Sequence, residues 1–314
     1  MSIVATLIDI VAPVFLVVAA GYTSIRSGFL PTSFVDPLVK YAVSIAVPSL
    51  LFMAMVRVDL ATAVNPLALL GFFGSGTATF LAAMFVSRLV WRRRPGESVA
   101  VGFCGIFGNV VMLGIPIGER AFGVGAMGAI FGIIAFHSIY NYFLGFISME
   151  LIRRDGSTLF QALRRAFVTT FRNPLMIGLV AGIAVNLSGL ALPKVTVDAL
   201  DMVAASALPV ALFSLGGVLT RYRLRDEFAE ASMVSVFSLV LHPALAWFLT
   251  SQVLALPIEF VRAAVLLAAM PPGINGYIFA TLYNRAVGTA ASSALLGTLV
   301  SIGTISLWLS LLSA

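Results

Sequence analysis

The sequence predicts an all-α polytopic membrane protein with ten transmembrane helices arranged as two inverted repeats of five. Three observations lead to this fold class: an apolar composition, ten apolar stretches and motifs that recur in order. Of 314 residues, 60% are hydrophobic and 10% are charged, and the mean hydropathy is +1.06. This balance lies far from that of a soluble domain.

The apolar stretches are long enough to cross a membrane, since a helix needs about 20 apolar residues to do so. They begin near Ile3, Lys40, Pro66, Ser98, Gly125, Pro174, Val197, Ala231, Val261 and Thr289. The first stretch lacks the basic start and the cleavage site of a signal peptide and carries Asp9, so we expect a retained helix. The single cysteine, Cys104, excludes a disulfide framework and a cysteine-ligated metal site.

The net charge of +6 indicates membrane orientation rather than a nucleic-acid partner. Fifteen basic residues fall in odd-numbered loops, namely Arg26, Lys40, Arg88, Arg92, Arg93, Arg94, Arg153, Arg154, Arg164, Arg165, Arg172, Arg221, Arg223, Arg225 and Arg285. The other four of the nineteen are Arg57, Arg120, Lys194 and Arg262. Basic loops stay in the cytoplasm, so we expect both termini outside a bacterial-type inner membrane.

Short motifs recur in the same order in the two halves. The sequence AVPSLLF at 46–52 returns 161 positions later as ALPVALF at 207–213, and Pro13 returns as Pro174. Two further matches have an offset that is four residues larger. Gly108 matches Gly273, and RAFG at 120–123 matches RAVG at 285–288. Chance similarity between apolar helices explains any single match, but the common order favours a duplication. Because five is odd, the second repeat must enter the membrane from the opposite side.

The repeats divide the chain into three parts. Residues 1–152 form the first five-helix repeat and 174–314 the second. Residues 153–173 form a basic cytoplasmic connection, for which polar and apolar residues together predict a short interfacial helix.

The fourth and ninth spans carry residues that break a helix at membrane depth. In the fourth span these include Gly108, Asn109 and Pro116, and in the ninth they are Pro271, Pro272, Gly273, Ile274 and Asn275. Each proline costs about 3 kcal/mol or more inside a regular helix. Irregular backbone is tolerated at this depth only where it is buried in protein or lines a watery cavity.

Two such breaks predict an anion-binding site. The helix that follows each break presents free N–H groups and the positive end of its dipole, and Asn109 and Asn275 add neutral donors. The alternative is that the breaks only kink the helices for packing. Glycine pairs such as Gly178 and Gly182 are indeed typical of close helix contacts. Two breaks at corresponding repeat positions, each with an asparagine, favour a site.

Three motifs carry a resemblance to a known family. They are the stretch from Gly108-Asn109 to Pro116, the stretch PPGINGYIFATLYN at 271–284 and LFSLG at 212–216. They resemble the auxin efflux carrier family, which includes plant PIN carriers and bacterial carboxylate permeases. The resemblance covers the whole chain, apart from the long central cytoplasmic loop of many plant members, which is missing here.

The resemblance implies a fold shared with bile-acid sodium symporters, in which spans four and nine cross at their breaks. It implies a scaffold of spans one, two, six and seven, an elevator-type transport domain of the other six, and a homodimer formed through the scaffold. It also implies that Asn109 and the backbone from Gly273 to Asn275 bind a substrate carboxylate. His137 and Tyr142 match a polar residue and a tyrosine of the fifth span.

Three departures from the family bear on the substrate. Where the family has an amide residue in the fifth span, this chain has His137, and where the family has a serine in the second span, it has Leu51. The charged pair that plant members carry in the third span is absent from 67–84. These departures argue against indole-acetate. Mono- and dicarboxylates, along with other auxin-like acids, remain candidate substrates.

Ionisable residues inside the membrane are candidates for coupling. His137 shares a helix face with Asn141 and lies beside Tyr142, so these three side chains are expected to line the pocket. His137 titrates near neutral pH when unperturbed, although a buried histidine is often just a hydrogen-bonded packing residue. Asp9 is the second coupling candidate, and Pro48 and Pro209 are the predicted bends of the scaffold.

The sequence leaves three possibilities for the coupling ion, namely H⁺, Na⁺ or no ion. Moving one charge across 100 mV changes the free energy by about 2.3 kcal/mol, so import of an anion against an inside-negative potential needs cations and export does not. We expect no cofactor and no metal site.

Three other functions compete with a carrier. An intramembrane protease of the rhomboid type needs G-x-S-G, which the sequence at 73–76, FGSG, misses by one residue. An aspartyl protease needs two membrane aspartates, and only Asp9 qualifies, so we expect no enzyme. An anion channel or a membrane-embedded anion sensor shares the arguments for the fold, and saturable flux distinguishes a carrier from both.

Overall fold

The computed structural model describes residues 4, 7–153, 159–222 and 227–312. Within these ranges the chain is helical, and its only extended pairing is one isolated bridge between Gly108 and Pro272. The predicted all-α class is therefore confirmed. The predicted start of the first span at Ile3 and the basic residues Arg154, Arg223 and Arg225 lie outside the described residues.

Thirteen main helices follow one another within the described ranges. In chain order they are α1 (Ile8–Arg26), α2 (Thr32–Arg57), α3 (Pro66–Val90), α4 (Pro95–Ile106), α5 (Ile115–Phe122), α6 (Val124–Ile152), α7 (Leu159–Phe171), α8 (Pro174–Ser188), α9 (Lys194–Leu219), α10 (Phe228–Val253), α11 (Ile258–Ala268), α12 (Ile274–Tyr283) and α13 (Val287–Leu312). Seven of those described, α1, α2, α3, α6, α9, α10 and α13, are long and apolar enough to cross a membrane. The protein is a multi-pass membrane protein.

The other three predicted spans contain shorter helices. The fourth is interrupted between α4 and a π-helical turn at Val110–Gly114 that leads into α5. The ninth is interrupted between α11 and α12, and the sixth is the short apolar helix α8. The helix predicted within the connecting segment is α7, whose residues Phe160 and Phe167 are exposed.

Asparagine followed by proline starts two of these helices. The side chain of Asn65 accepts a hydrogen bond from the backbone N–H of Leu67 at 2.9 Å, and that of Asn173 accepts one from Leu175 at 3.0 Å. Proline suits the first turn because it has no backbone N–H that would be left unpaired there, and because its ring fixes φ near the helical value. Local sequence therefore fixes where α3 and α8 begin.

Two helix pairs approach so closely that glycine is required. A Cβ atom on Gly21 of α1 would lie 1.9 Å from the carbonyl oxygen of Phe213 in α9, and one on Gly182 of α8 would lie 2.5 Å from that of Phe52 in α2. Gly21 and Gly182 are 161 positions apart, as are Phe52 and Phe213. The two contacts are therefore reciprocal. The prediction that Gly178 and Gly182 make close helix contacts is also correct, because Gly178 meets the backbone of Pro48.

A partly buried ion-pair cluster joins the α3–α4 loop to α10 and α13. The guanidinium of Arg93 donates to Glu230 at 2.7 Å and to Glu227 at 3.0 Å, and Thr289 donates to Glu230 at 2.6 Å. Glu230 is only 1% exposed. The hydrogen bonds to Glu230, more than any other contact, hold the pKa of Arg93 above its ordinary value. Removing Arg93 would leave the buried carboxylate of Glu230 without its ion-pair partner, so the cluster holds these three segments together.

The glycine contacts generate a stability prediction. Gly21→Ala is expected to lower the melting temperature in detergent, because the added methyl group overlaps a backbone atom that cannot rotate away. Overpacking of this kind costs about 1–3 kcal/mol or more. Gly303→Ala in α13 is the matched control, since a Cβ atom there has nothing within 4 Å. Equal melting temperatures for the two variants would contradict the close packing of α1 on α9.

Candidate functional site

The two breaks in the fourth and ninth spans are hydrogen-bonded to each other. The backbone N–H of Asn109 donates to the carbonyl of Pro271 at 2.8 Å, and the N–H of Gly273 donates to the carbonyl of Phe107 at 2.8 Å. The bridge between Gly108 and Pro272 lies between these bonds. Each break thus supplies the backbone partner that the other has lost.

Local sequence explains why the helices break here. Proline has no N–H and clashes with the preceding turn, so the adjacent Pro271 and Pro272 end α11. Gly108 has no side chain, and a Cβ atom there would lie only 3.1 Å from the carbonyl oxygen of Met270. A side chain at position 108 would therefore be tightly packed where the ninth span passes over the fourth.

The helices that resume after the breaks present unused amides. Regular hydrogen bonding restarts with the N–H of Leu113, which donates to Asn109, and with that of Gly276, which donates to Gly273. The amides just before them, at Val110 to Met112 and at Ile274 and Asn275, are the orphan donors of a helix start. They carry the positive ends of two helix dipoles.

A cavity of about 300 Å³ lies against both breaks. Two helices, α2 and α8, form one wall, and the breaks together with α6 form the other. The lining residues that matter here are Asp36, Lys40, Ser44, Val47, Phe107, Gly108, Asn109, Val110, His137, Ser138, Asn173, Gly273, Ile274 and Asn275. Five predicted site residues of the breaks, Gly108, Asn109, Gly273, Ile274 and Asn275, thus share one cavity with His137.

Three further predicted site residues support this cavity from behind. The hydroxyl of Tyr142 donates to Oδ1 of Asn275 at 3.2 Å, and Nδ2 of Asn141 donates to the carbonyl of His137 at 2.9 Å. Tyr142 is 5% exposed and Asn141 is 3% exposed. Pro272 packs against Gly297 of α13. These side chains therefore position the lining and do not themselves face the cavity.

His137 combines burial with an unused ring nitrogen. It is 1% exposed, and its Nε2 atom has no hydrogen-bond partner among the described residues. The ring of Phe107 meets the imidazole edge to face, with 4.9 Å between ring centroids. An uncompensated polar atom beside a cavity is a position at which a ligand or a water molecule can bind.

Other predicted residues lie elsewhere. Pro116 is buried inside α5 and contributes no lining. Asp9 is exposed and outside the cavity, and its backbone oxygen accepts from Arg120 at 2.5 Å. Pro48 follows a π-helical turn in α2, and Pro209 follows a turn at Ser206 in α9. Both prolines therefore lie next to irregular turns within otherwise long helices.

Sequence reasoning missed Lys40, Ser44, Ser138 and Asn173 as lining residues. The prediction that Lys40 belongs to a loop is wrong, because α2 begins at Thr32. Charged residues such as Asp36 and Lys40 made the first turns of α2 look like a loop. The spacing of Lys40, Ser44 and Val47 on one helix face was the pattern that could have indicated the wall.

Ion pairs link α2 to α9 at both of its ends. At the start of α2, Oδ1 of Asp36 accepts from Arg221 at 2.7 Å, and at its end Arg57 donates to Asp201 at 2.6 Å. Beside the first pair, the ring of Tyr222 contacts that of Tyr277 in α12, 5.4 Å away. Burial raises the pKa of Tyr222 to about 12, so this hydroxyl stays neutral at physiological pH.

The comparison with known families decides the class of the protein. The family described as membrane transport protein matches residues 6–309, which is nearly the whole chain. The chain belongs to this family. The resemblance to auxin efflux carriers predicted from the motifs is thereby confirmed. Membership places the protein among transporters rather than enzymes, as the sequence predicted.

Curated relatives of this membrane transport protein are similar over nearly their full length. A protein of Rhizobium meliloti named "Putative malonate transporter" is 25% identical over 96% of this chain and 94% of its own. An uncharacterized transporter of Methanothermobacter thermautotrophicus is 27% identical over 96% of each chain. Another, from Methanocaldococcus jannaschii, is 25% identical over 96% of this chain and 97% of its own.

The support of Asn275 by Tyr142 generates a prediction about transport. Tyr142→Phe removes the hydroxyl that donates to Oδ1 of the half-buried Asn275, and a typical hydrogen bond contributes about 0.5–1.5 kcal/mol. We expect the apparent affinity for the transported molecule to fall about tenfold, measured from the concentration dependence of uptake.

Tyr140→Phe is the matched control for this measurement. Tyr140 lies on the same helix, but its hydroxyl bonds Thr77 away from the cavity. Unchanged affinity in Tyr142→Phe, or an equal loss in both variants, would contradict a positioning role for Tyr142.

Proposed function

We propose that this protein is a secondary transporter of small organic anions, mono- or dicarboxylates, and that the paired helix breaks bind a substrate carboxylate. One observation carries the proposal: both breaks, with Asn109 and Asn275, line a single cavity beside unused amides. Helix N-termini stabilise anions through free N–H groups and dipoles. Discontinuous helices near the midplane are the usual substrate sites of secondary transporters.

The lining suits an anion that must also be released. The donors facing the cavity from the breaks are neutral amides, so they bind a carboxylate without forming an ion pair at the centre. The name of the Rhizobium meliloti relative, which mentions malonate, supports a carboxylate as the substrate class. The cavity of about 300 Å³ matches a small ligand.

The proposed architecture is ten spans in two inverted repeats, 1–152 and 174–314, joined by 153–173. The reciprocal contacts of Gly21 with Phe213 and of Gly182 with Phe52 support it, because each residue has its counterpart 161 positions away. The two breaks, each ending one helix and starting another, support it as well. Inversion would present equivalent surfaces to the two sides of the membrane.

The proposed mechanism is an elevator. Spans one, two, six and seven would form a fixed scaffold that bends near Pro48 and Pro209, and spans three to five and eight to ten would carry the substrate past it. The position of the cavity between α2 and α8 on one side and the breaks on the other supports this division. We further propose a homodimer formed through the scaffold, in a bacterial inner membrane with both termini outside.

The proposal predicts that Asn109→Ala abolishes transport while membrane abundance is unchanged. Asn109 lines the cavity, is half-buried and is hydrogen-bonded to no described side chain, so we expect its loss to remove a ligand donor and not an internal hydrogen bond. The measurement is electrogenic uptake into proteoliposomes, with malonate, malate, pyruvate, sulfonates and indole-acetate each tested as the substrate.

Gln252→Ala is the control, because it removes an exposed amide from α10 far from the breaks. Normal uptake by Asn109→Ala would exclude the assigned site. Saturable uptake with counterflow identifies a carrier, flux without saturation identifies a channel, and binding without flux identifies a sensor.

We assign coupling to His137, because this residue lines the cavity and Asp9 does not. We expect His137→Gln to lose uptake driven by a proton gradient and to keep counterflow, which needs no net proton movement. Uptake driven by a sodium gradient alone, or equal proton-driven uptake in the variant, would contradict this role.

A further inference from the structure

Lys40 is a charged residue on the cavity wall that has no ion-pair partner among the described residues. It is exposed, lies in α2 and lines the cavity together with Ser44 and Val47. A rise of 1.5 Å per residue places Ser44 about 6 Å deeper along the helix. The α2 wall therefore carries an ammonium group near the mouth and a hydroxyl group farther in.

The charges around Lys40 leave its ammonium uncompensated. Asp36, one turn earlier on the same face, also lines the cavity, but its carboxylate is held by Arg221 at 2.7 Å. His137 is the other titratable lining residue, and it faces the cavity from α6. Since Asp36 and Arg221 cancel each other, the mouth has a net positive charge from Lys40.

We propose that Lys40 binds a second carboxylate and that the preferred substrates of this site are therefore small dicarboxylates. This inference rests on the proposed function, since the first carboxylate is the one bound by Asn109 and Asn275 at the breaks. A dicarboxylate spanning the cavity places one charge on neutral amides and the other on an ammonium. Charge-assisted hydrogen bonds are about twice as strong as neutral ones.

Among the described residues that line the cavity at the opposite end of α2, the one cation is Arg57, and it is paired. Asp201 stands 161 positions after Lys40, and Arg57 pairs with it at 2.6 Å. A second cavity at that end includes both partners of this pair, so the cation there is already neutralised. Lys40 therefore acts on substrate in the cavity that it lines, and not in the second cavity.

The test compares dianions with monoanions of nearly the same shape. Uptake of malonate and succinate into proteoliposomes is measured beside that of their monoamides, malonamate and succinamate, for the wild type, Lys40→Gln and Lys40→Arg. We expect Lys40→Gln to lose about tenfold in apparent affinity for the dicarboxylates, about 1.4 kcal/mol. Its affinity for the monoamides should change less than twofold, and Lys40→Arg should retain the wild-type preference.

Lys194→Gln is the matched control. Lys194 is exposed and pairs with Asp198 at 2.5 Å away from the cavity, so this variant should behave as the wild type with every anion. Because Lys40 is exposed, its variants are expected to melt at the wild-type temperature, which is measured in parallel.

The outcomes separate this inference from the proposed function. An equal loss for dicarboxylates and monoamides in Lys40→Gln, or no loss for either, overturns the role of Lys40. Wild-type protein that transports monocarboxylates or monoamides as well as dicarboxylates overturns the substrate preference and leaves the proposed function standing. Folded wild-type protein without saturable uptake of any carboxylate overturns both.

Discussion

Two reciprocal hydrogen bonds between the broken helices are the constraint on which the centre of this protein depends. Away from water an unpaired backbone amide costs several kcal/mol, so a chain leaves a helix at that depth only where another segment supplies partners. The carbonyls of Phe107 and Pro271 do so for Gly273 and Asn109. Because this pairing uses the amides at the break itself, those that follow remain free toward the cavity.

Packing around the breaks follows from this pairing. Gly108 lets the two breaks approach closely, because a Cβ atom there would lie only 3.1 Å from the carbonyl oxygen of Met270. Phe107 then turns its ring toward His137, while Tyr142 holds the amide of Asn275 from behind. Side chains that do not face the cavity thus fix the orientation of those that do, which is how a site formed by irregular backbone acquires a defined geometry.

Charge is distributed so that the centre stays neutral. Arg93 pairs with Glu227 and Glu230 at one end of α10, and Asp36 and Asp201 pair with arginines at the two ends of α2 and α9. The family match makes transport the activity of this chain, and a bound anion that must leave again is better served by amides than by a buried ion pair. Lys40, which lines the cavity, is a cation that none of these pairs includes.

The sequence by itself determined the all-helical membrane class, the family and the two breaks, because hydropathy and proline act locally along the chain. It also singled out Asn109, His137 and Asn275, since polar residues at membrane depth stand out against an apolar background, and all three line one cavity. Only the tertiary structure placed Tyr142 and Asn141 behind the lining and Pro116 and Asp9 away from it. Only the structure brought Lys40 to the cavity, because which residues face one space depends on how helices far apart in sequence pack together.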